Sequence, residues 1–310
     1  MKQFLLMVFS ILILVSCEDS FTQTGNYKED YAMGAILQGD TSVQTITLSK
    51  NYILEDLSQP RNPKNLWVKN ATVTLSFDEE AYIFNQVEDD IVKYEVGNLK
   101  LPIDKTIKIE ALLPDGRWIR AFTKTPKEVS FSGYSNKFLP SEDNSDIYSV
   151  SWRSFERDVN FFPKLTLEYN VQENGILKNY KIPVPQEYLI VDDKEVAIYP
   201  DASSQIGCAF KMDALNKLMT SIYQKESHSR SDYFINKVLR FELIIMDQNL
   251  TSYYLITNNI LDTYSVKLDE SEYSNIEGGI GIFGSFIKHE YFFYFPAEYI
   301  YSFGYRIKTN

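Results

Sequence analysis

The glycine-rich segment near the end of the chain has the spacing of a phosphate-binding loop. Gly279, Gly281 and Gly284 spell G-x-G-x-x-G, the pattern that holds the pyrophosphate of a dinucleotide at a helix N-terminus. That chemistry needs a helix after the glycines, whereas residues 285–293 are aromatic and typical of a strand. The pattern therefore favours a structural turn or a partner-contact loop, formed by Asn275, Gly278, Gly279, Gly281 and Gly284.

Residues that could carry a reaction are few. The chain has two histidines, His228 and His289, and its sequence contains no H-E-x-x-H, C-x-x-C or G-x-S-x-G motif. The spacing leaves a dyad of Cys208 and His228 open, although the apolar neighbours of Cys208 favour a buried thiol. The 42 acidic residues offer carboxylate pairs in any fold. We predict a non-catalytic protein without a metal or cofactor, with a glycoside hydrolase as an alternative.

The charge balance is acidic. The sequence has 31 basic and 42 acidic residues, and its formal net charge is −11. Nucleic-acid binding relies on clustered Lys and Arg side chains that displace counterions from phosphates. Nucleic acid is therefore not an expected partner, and the same sign argues against direct binding to an anionic membrane surface.

The first residues of the chain have the three parts of an export signal. A positive start at Lys2 is followed by an apolar stretch, Phe4–Val15, and then by small residues. About a dozen apolar residues are too few to cross a hydrocarbon layer of ~30 Å as a permanent helix. We therefore expect residues 1–16 to be a cleaved signal peptide.

Cys17 directly follows Leu14-Val15-Ser16, which resembles the lipobox of bacterial lipoproteins. The resemblance implies that Cys17 is acylated and begins the mature protein, with residues 17–29 as a lipidated tether. Acyl chains anchor a protein because each buried methylene contributes about 0.8 kcal/mol. Glu18 and Asp19 resemble the surface-export signals of Bacteroidota lipoproteins. We expect an outer-membrane lipoprotein, with the cell surface favoured over the periplasmic face.

Alternation of apolar and polar residues dominates the rest of the chain and is typical of strands with one buried face. The clearest alternating segments are 71–77, 107–111 and 165–171. Two turn sequences, Pro114-Asp115-Gly116 and Asn174-Gly175, each separate two such segments. We therefore predict two antiparallel hairpins in a mostly β protein.

Helical periodicity is confined to two places. Residues 211–225 have apolar side chains at spacings of three and four, which predicts a helix with one buried face. A second short helix is expected to begin near Thr251. The tryptophans lie in or beside predicted strands, where we expect them to pack in the core; they are Trp67, Trp118 and Trp152.

Composition also indicates two domains. A polar run within residues 130–146 is typical of a boundary between domains. Residues 30–130 contain several short predicted strands, the pattern of a β-sandwich. Residues 131–310 are expected to form a second β-rich domain with the helix near 211–225.

The order of these features resembles that of a Bacteroidota lipoprotein family defined as a domain of unknown function. The matching segments are Cys17-Glu18-Asp19, Val68–Val73, Asp115-Gly116-Arg117, Ala121–Pro126 and Ser274–Gly284. The resemblance implies an Ig-like or transthyretin-like first domain, and genes of that family often lie beside those of TonB-dependent receptors. We therefore expect an outer-membrane accessory protein that binds such a receptor or its ligand. A surface adhesin or a structural sandwich lipoprotein is the alternative.

Overall fold

A computed structural model describes residues 30–50, 66–132, 147–156, 159–223, 229–257 and 273–308. Within these ranges the protein is mostly β, which confirms the predicted fold class. The structure of Cys17, Glu18, Asp19 and His228 falls outside the described residues. The helices in these ranges lack the length and the apolar character of a membrane span.

Nine strands lie within residues 30–50 and 66–132. They are β1 (Tyr31–Gln38), β2 (Gln44–Lys50), β3 (Thr72–Phe77), β4 (Glu80–Ile83), β5 (Asn85–Glu88), β6 (Val92–Val96), β7 (Thr106–Leu112), β8 (Trp118–Lys124) and β9 (Ser130–Ser132).

Nine strands and three α-helices follow in the described residues. The strands are β10 (Ile147–Arg153), β11 (Phe161–Glu173), β12 (Ile176–Pro183), β13 (Glu187–Val191), β14 (Lys194–Ile198), β15 (Gly207–Lys211), β16 (Tyr233–Met246), β17 (Ile280–Tyr294) and β18 (Arg306–Ile307). The helices are α1 (Met212–Tyr223), α2 (Gln248–Thr257) and α3 (Ala297–Ser302), and a short 3-10 helix spans Arg230–Asp232.

Local sequence signals account for both predicted hairpins and for α1. β7 and β8 pair across the turn that ends at Gly116, and β11 and β12 pair across Asn174 and Gly175. These three turn residues have positive φ, which Gly and Asn adopt at lower cost than other residues. α1 buries the apolar face that the sequence predicts. α2 begins at Gln248 rather than near Thr251, because the Asp247 carboxylate accepts a hydrogen bond from the Leu250 N–H in its first turn.

Two four-stranded layers form a β-sandwich in the first part of the chain. One layer has the order β4-β3-β7-β8, and the other contains β1-β2-β6-β5. Inward-facing residues alternate with exposed ones along β8. The row on its outer face includes Trp118, which is 56% exposed, so the prediction that this tryptophan packs in the core is wrong. Trp152 is buried as expected.

One sheet continues from this sandwich into the later part of the chain. Its order is β12-β11-β16-β17-β1-β2-β6-β5, and the link between the two parts is the parallel pairing of β1 with β17. Residues from the predicted first and second domains therefore share one sheet. Their buried apolar side chains also form a continuous core among the described residues.

The three longest strands of the described chain, β11, β16 and β17, pack against a smaller sheet of order β15-β10-β9. Aromatic side chains fill the space between the sheets, with Trp152 against Phe161 and Tyr148 against Phe293. Such rings supply much buried apolar area for each residue. This packing fixes the position of β15 and of the surface beside it.

Candidate functional site

The glycine-rich segment is a packed junction between β1, β8 and β17. A Cβ on Gly281 would lie 2.1 Å from the carbonyl oxygen of Met33, and a Cβ on Gly278 would lie 2.6 Å from that of Trp118. Both glycines also have positive φ. Neither position has space for a side chain, because the backbones approach too closely. Similar close contacts restrict Gly279, beside the carbonyl oxygen of Tyr31, and Gly284, beside Leu250.

Asn275 fastens this segment to β17. Its Oδ1 accepts a hydrogen bond from the backbone N–H of Phe283 at 2.8 Å, and its Nδ2 donates to the carbonyl oxygen of Phe283 at 2.7 Å. The side chain therefore pairs with Phe283 much as a neighbouring strand would. A strand, not a helix, continues from the glycines, so the structure lacks the helix that the dinucleotide pattern requires at this place.

The same segment covers the outer edge of β8. Arg120 donates its backbone N–H to the carbonyl oxygen of Glu277 at 3.1 Å and accepts from the N–H of Glu277 at 2.8 Å. Two residues further along, the carbonyl oxygen of Phe122 accepts from Nδ2 of Asn249 at 2.9 Å. These bonds satisfy backbone groups that a sheet edge otherwise presents to water.

Asp247 lies beneath this junction and was not singled out by sequence reasoning. Its carboxylate accepts hydrogen bonds from the Thr123 hydroxyl at 2.5 Å, the Ser285 hydroxyl at 2.7 Å and the Leu250 N–H at 2.7 Å. Burial raises the pKa of Asp247 to about 6, against the opposing effect of these hydrogen bonds. Its position just before α2 is the one sequence signal that could have found it.

A second feature is a groove of about 440 Å³ along the outer edge of β15. Gly207 and Ala209 form one side, and the opposite wall includes Gln186, Asp201 and Ser203. We call this surface the β15 groove. Its size is within the range of about 300–1,000 Å³ that is typical of ligand sites.

The pairing of β15 with β10 decides which backbone groups face the groove. Trp152 donates its N–H to the carbonyl oxygen of Ile206, and in an antiparallel pair the bonded residues alternate. Cys208 and Phe210 therefore bond to β10, while the N–H and C=O of Gly207 and Ala209 point away from it into the groove. Among the described residues these groups have no hydrogen-bond partner on the groove side.

The ionisable groups of the groove are held in pairs or buried. Lys211 pairs with Glu187, and the Tyr254 hydroxyl donates to Asp201. Burial raises the pKa of the Cys208 thiol to about 12, so this cysteine is protonated at neutral pH and is a poor nucleophile. Across the described ranges, no group of three or more His, Cys, Asp or Glu side chains could hold a metal ion.

Comparisons with known proteins give little similarity. No family model matches the chain, and no curated protein matches it. It is similar to a DUF4785 family protein from Legionella pneumophila, with 10% identity and a TM-score of 0.23, over 81% of this chain and 55% of that one. It is also similar to a mutant of Salmonella alpha-2-macroglobulin, with 6% identity and a TM-score of 0.22, over 86% of this chain and 15% of that one.

The chain thus spans about half the length of the DUF4785 protein that it matches. Neither protein is described by a reaction. At TM-scores this low, the two similarities carry no argument about fold or function.

Proposed function

We propose that this protein is a lipid-anchored, non-catalytic accessory protein of the outer membrane that binds a TonB-dependent receptor or its ligand. The anchor in this proposal is Cys17, as its place after an apolar stretch suggests. The observation that carries binding is the β15 groove, where a cavity of about 440 Å³ lies beside backbone groups that have no partner among the described residues. The receptor as partner rests on the family resemblance.

The chemistry of the groove favours binding over catalysis. A nucleophile must be deprotonated or lie beside a base, and the Cys208 thiol is held protonated by burial. Glu187 is engaged with Lys211, and Asp201 with Tyr254. These acidic side chains of the groove thus have structural partners, as expected where binding alone is required.

Exposed apolar side chains flank the groove. Ile147 on β10 lines the groove and is exposed, and the exposed Ile206 directly precedes β15. They would be covered when a partner docks.

The experiment is isolation of the tagged full-length protein from membranes in a mild detergent, with identification of the proteins that accompany it. We expect a TonB-dependent receptor to accompany the wild type. Fatty-acid labelling in the same cells checks the anchor. The label is expected on the wild type and absent from Cys17→Ser.

The second cysteine supplies a matched control, because Cys208→Ser makes the same change of atom at a position outside the lipobox. It should keep the full label. Equal labelling of Cys17→Ser and the wild type would contradict acylation at Cys17. Isolation of the wild type without a receptor would contradict the proposed partner.

A further inference from the structure

We propose that the β15 groove binds an extended polypeptide segment of the partner, which adds to β15 as a new strand. This inference deepens the proposed function, since it names how the partner is held. It rests on the direction of individual backbone groups. The recognised chemistry is that of a peptide backbone in the β conformation.

The backbone groups of Gly207 and Ala209 carry the inference. Each residue presents one N–H donor and one C=O acceptor on the same side of the strand, with one residue between them. A second extended backbone has donors and acceptors at that same spacing, and such strand addition is a common mode of peptide recognition. A small anion offers only acceptors and does not match this alternation of donors and acceptors.

Several other sheet edges are closed or protected. The edge of β8 bonds to Glu277, and β4 and β5 are four residues each. β12 carries exposed Lys178 and Lys181 and ends at Pro183. Short strands, lysines and proline are the features by which proteins prevent unwanted edge pairing. The middle of β15 has no lysine or proline and borders a cavity instead.

The ends of the groove limit the length of the bound segment. At one end Lys211 donates its N–H to the carbonyl oxygen of Gln186 at 2.8 Å, so the free edge stops before Lys211. At the other end the exposed Ile206 precedes β15. As far as the structure describes the chain, the unpaired edge therefore covers Gly207 to Ala209, enough to pair with roughly three to five residues at ~3.3 Å per residue.

The test uses the purified full chain and a library of random dodecapeptides displayed on phage as the probe. Ala209→Pro is the key variant, because proline removes the groove-facing N–H and leaves the bonds to β10 intact. Ala209→Thr is the matched control, since it retains the N–H. We expect selected peptides to bind Ala209→Pro at least about tenfold more weakly than the wild type, which is the loss of one or two hydrogen bonds. Ala209→Thr should bind within about twofold.

A second measurement leaves the protein unchanged. Selected peptides are synthesised with N-methyl groups on alternate residues, and hydrogen exchange is followed at Ala209. In a bound strand, alternate residues direct their N–H groups toward β15 and away from it. We expect N-methylation of the residues that face β15 to abolish binding and N-methylation of the others to be tolerated. The Ala209 amide should become protected from exchange on binding. Peptides that bind regardless of both N-methyl series, or a library without groove binders, would overturn the inference.

The two proposals fail in different ways. If the receptor is still isolated from membranes together with the Ala209→Pro variant, binding by strand addition is wrong. The proposed function is then unaffected. If selected peptides bind at Ala209 but no receptor accompanies the wild type from membranes, the proposal of a receptor partner is wrong. The proposal that β15 binds a peptide is then still supported.

Discussion

Two sheet edges of this protein, those of β8 and β15, differ in whether another segment of the described chain bonds to them. The edge of β8 is covered by the segment around Asn275 and Glu277, which bonds to it and then continues into β17. The edge of β15 faces the β15 groove, and its central peptide groups have no partner there within the described chain. One edge thus joins the two parts of the molecule, while the other has no strand paired to it among the described residues.

Glycine explains why the first edge could be closed. The covering segment must pass against β1 and β8 at once, and a Cβ at Gly281 or Gly278 would overlap a carbonyl oxygen. β15 also contains a glycine, Gly207, but its missing Cβ would face β10 at 3.1 Å from the carbonyl oxygen of Val150. That glycine therefore permits close pairing within its own sheet and brings no segment over the open edge.

The largest expected effect comes from breaking the closed junction. Gly281→Ala places a Cβ 2.1 Å from the Met33 carbonyl oxygen at a φ of +117, so β1 and β17 must separate locally. We expect the free energy of unfolding, measured by urea denaturation, to fall by more than about 3 kcal/mol. Gly97→Ala is the control, because a Cβ there meets nothing within 4 Å. Equal stability of the two variants would show that the junction is not tightly packed.

The comparison of the edges can be tested directly with proline. Arg120→Pro and Ala209→Pro each remove an N–H that points out of its own sheet, but of the two only the N–H of Arg120 has a partner in the described chain, the carbonyl oxygen of Glu277. We therefore expect Arg120→Pro to melt about 5 °C below Ala209→Pro in calorimetry. Arg120→Ala controls for the lost side chain. Similar melting temperatures for the two proline variants would mean that the Ala209 N–H is also bonded in solution.

Local features of this fold were predictable because they depend on neighbouring residues. Asn174-Gly175 defines a hairpin through positive φ, and residues 211–225 define α1 through their spacing. The parallel pairing of β1 with β17 was not predictable, because alternation shows that a strand has two faces and says nothing about which strand lies beside it. The exposure of Trp118, by contrast, follows from the alternation along β8, which places it on the same face as Arg120 and Lys124.

The glycine-rich junction and the β15 groove also differ in how far they could be predicted from the sequence. Asn275 and the glycines were visible as a pattern, and the structure supplies the backbones that they contact. The β15 groove was invisible, because an open edge is defined by the lack of a neighbouring strand. Asp247 could be read as the residue before a helix but not as a contact of Thr123 and Ser285, which belong to distant strands. The role of Cys17 stays a prediction.

Asp247 makes the closed junction sensitive to pH. Burial raises its pKa to about 6 in the folded protein, against 3.8 for an ordinary aspartate carboxyl, so between these pH values the folded chain holds a proton that the unfolded chain has lost. The stability that this group contributes is therefore present below about pH 4 and is lost as pH rises through about 6. Above that pH the junction contains a buried charge.

Asp247→Asn should remove this dependence, because the amide has a similar shape and does not ionise. As pH rises from about 4 to about 7.5, we expect the wild type to lose up to about 3 kcal/mol of stability that the variant keeps. The free energy of unfolding of the variant relative to the wild type should increase by that amount. Urea denaturation across this range measures it. Parallel curves for the two proteins would show that Asp247 does not titrate at the junction.

The smallest effect is expected from the side-chain ion pair that accompanies the backbone bonds between β8 and the covering segment. Arg120 and Glu277 form an ion pair at 2.5 Å, but both side chains are more than half exposed. Exposed pairs contribute little and are screened by salt, and the backbone bonds between the same residues remain after truncation. We therefore expect Arg120→Ala to lower the melting temperature by at most about 2 °C. In about 1 M salt this difference should shrink further. If instead Arg120→Ala destabilised the protein as much as Arg120→Pro, the edge would be closed by charge and not by the peptide backbone.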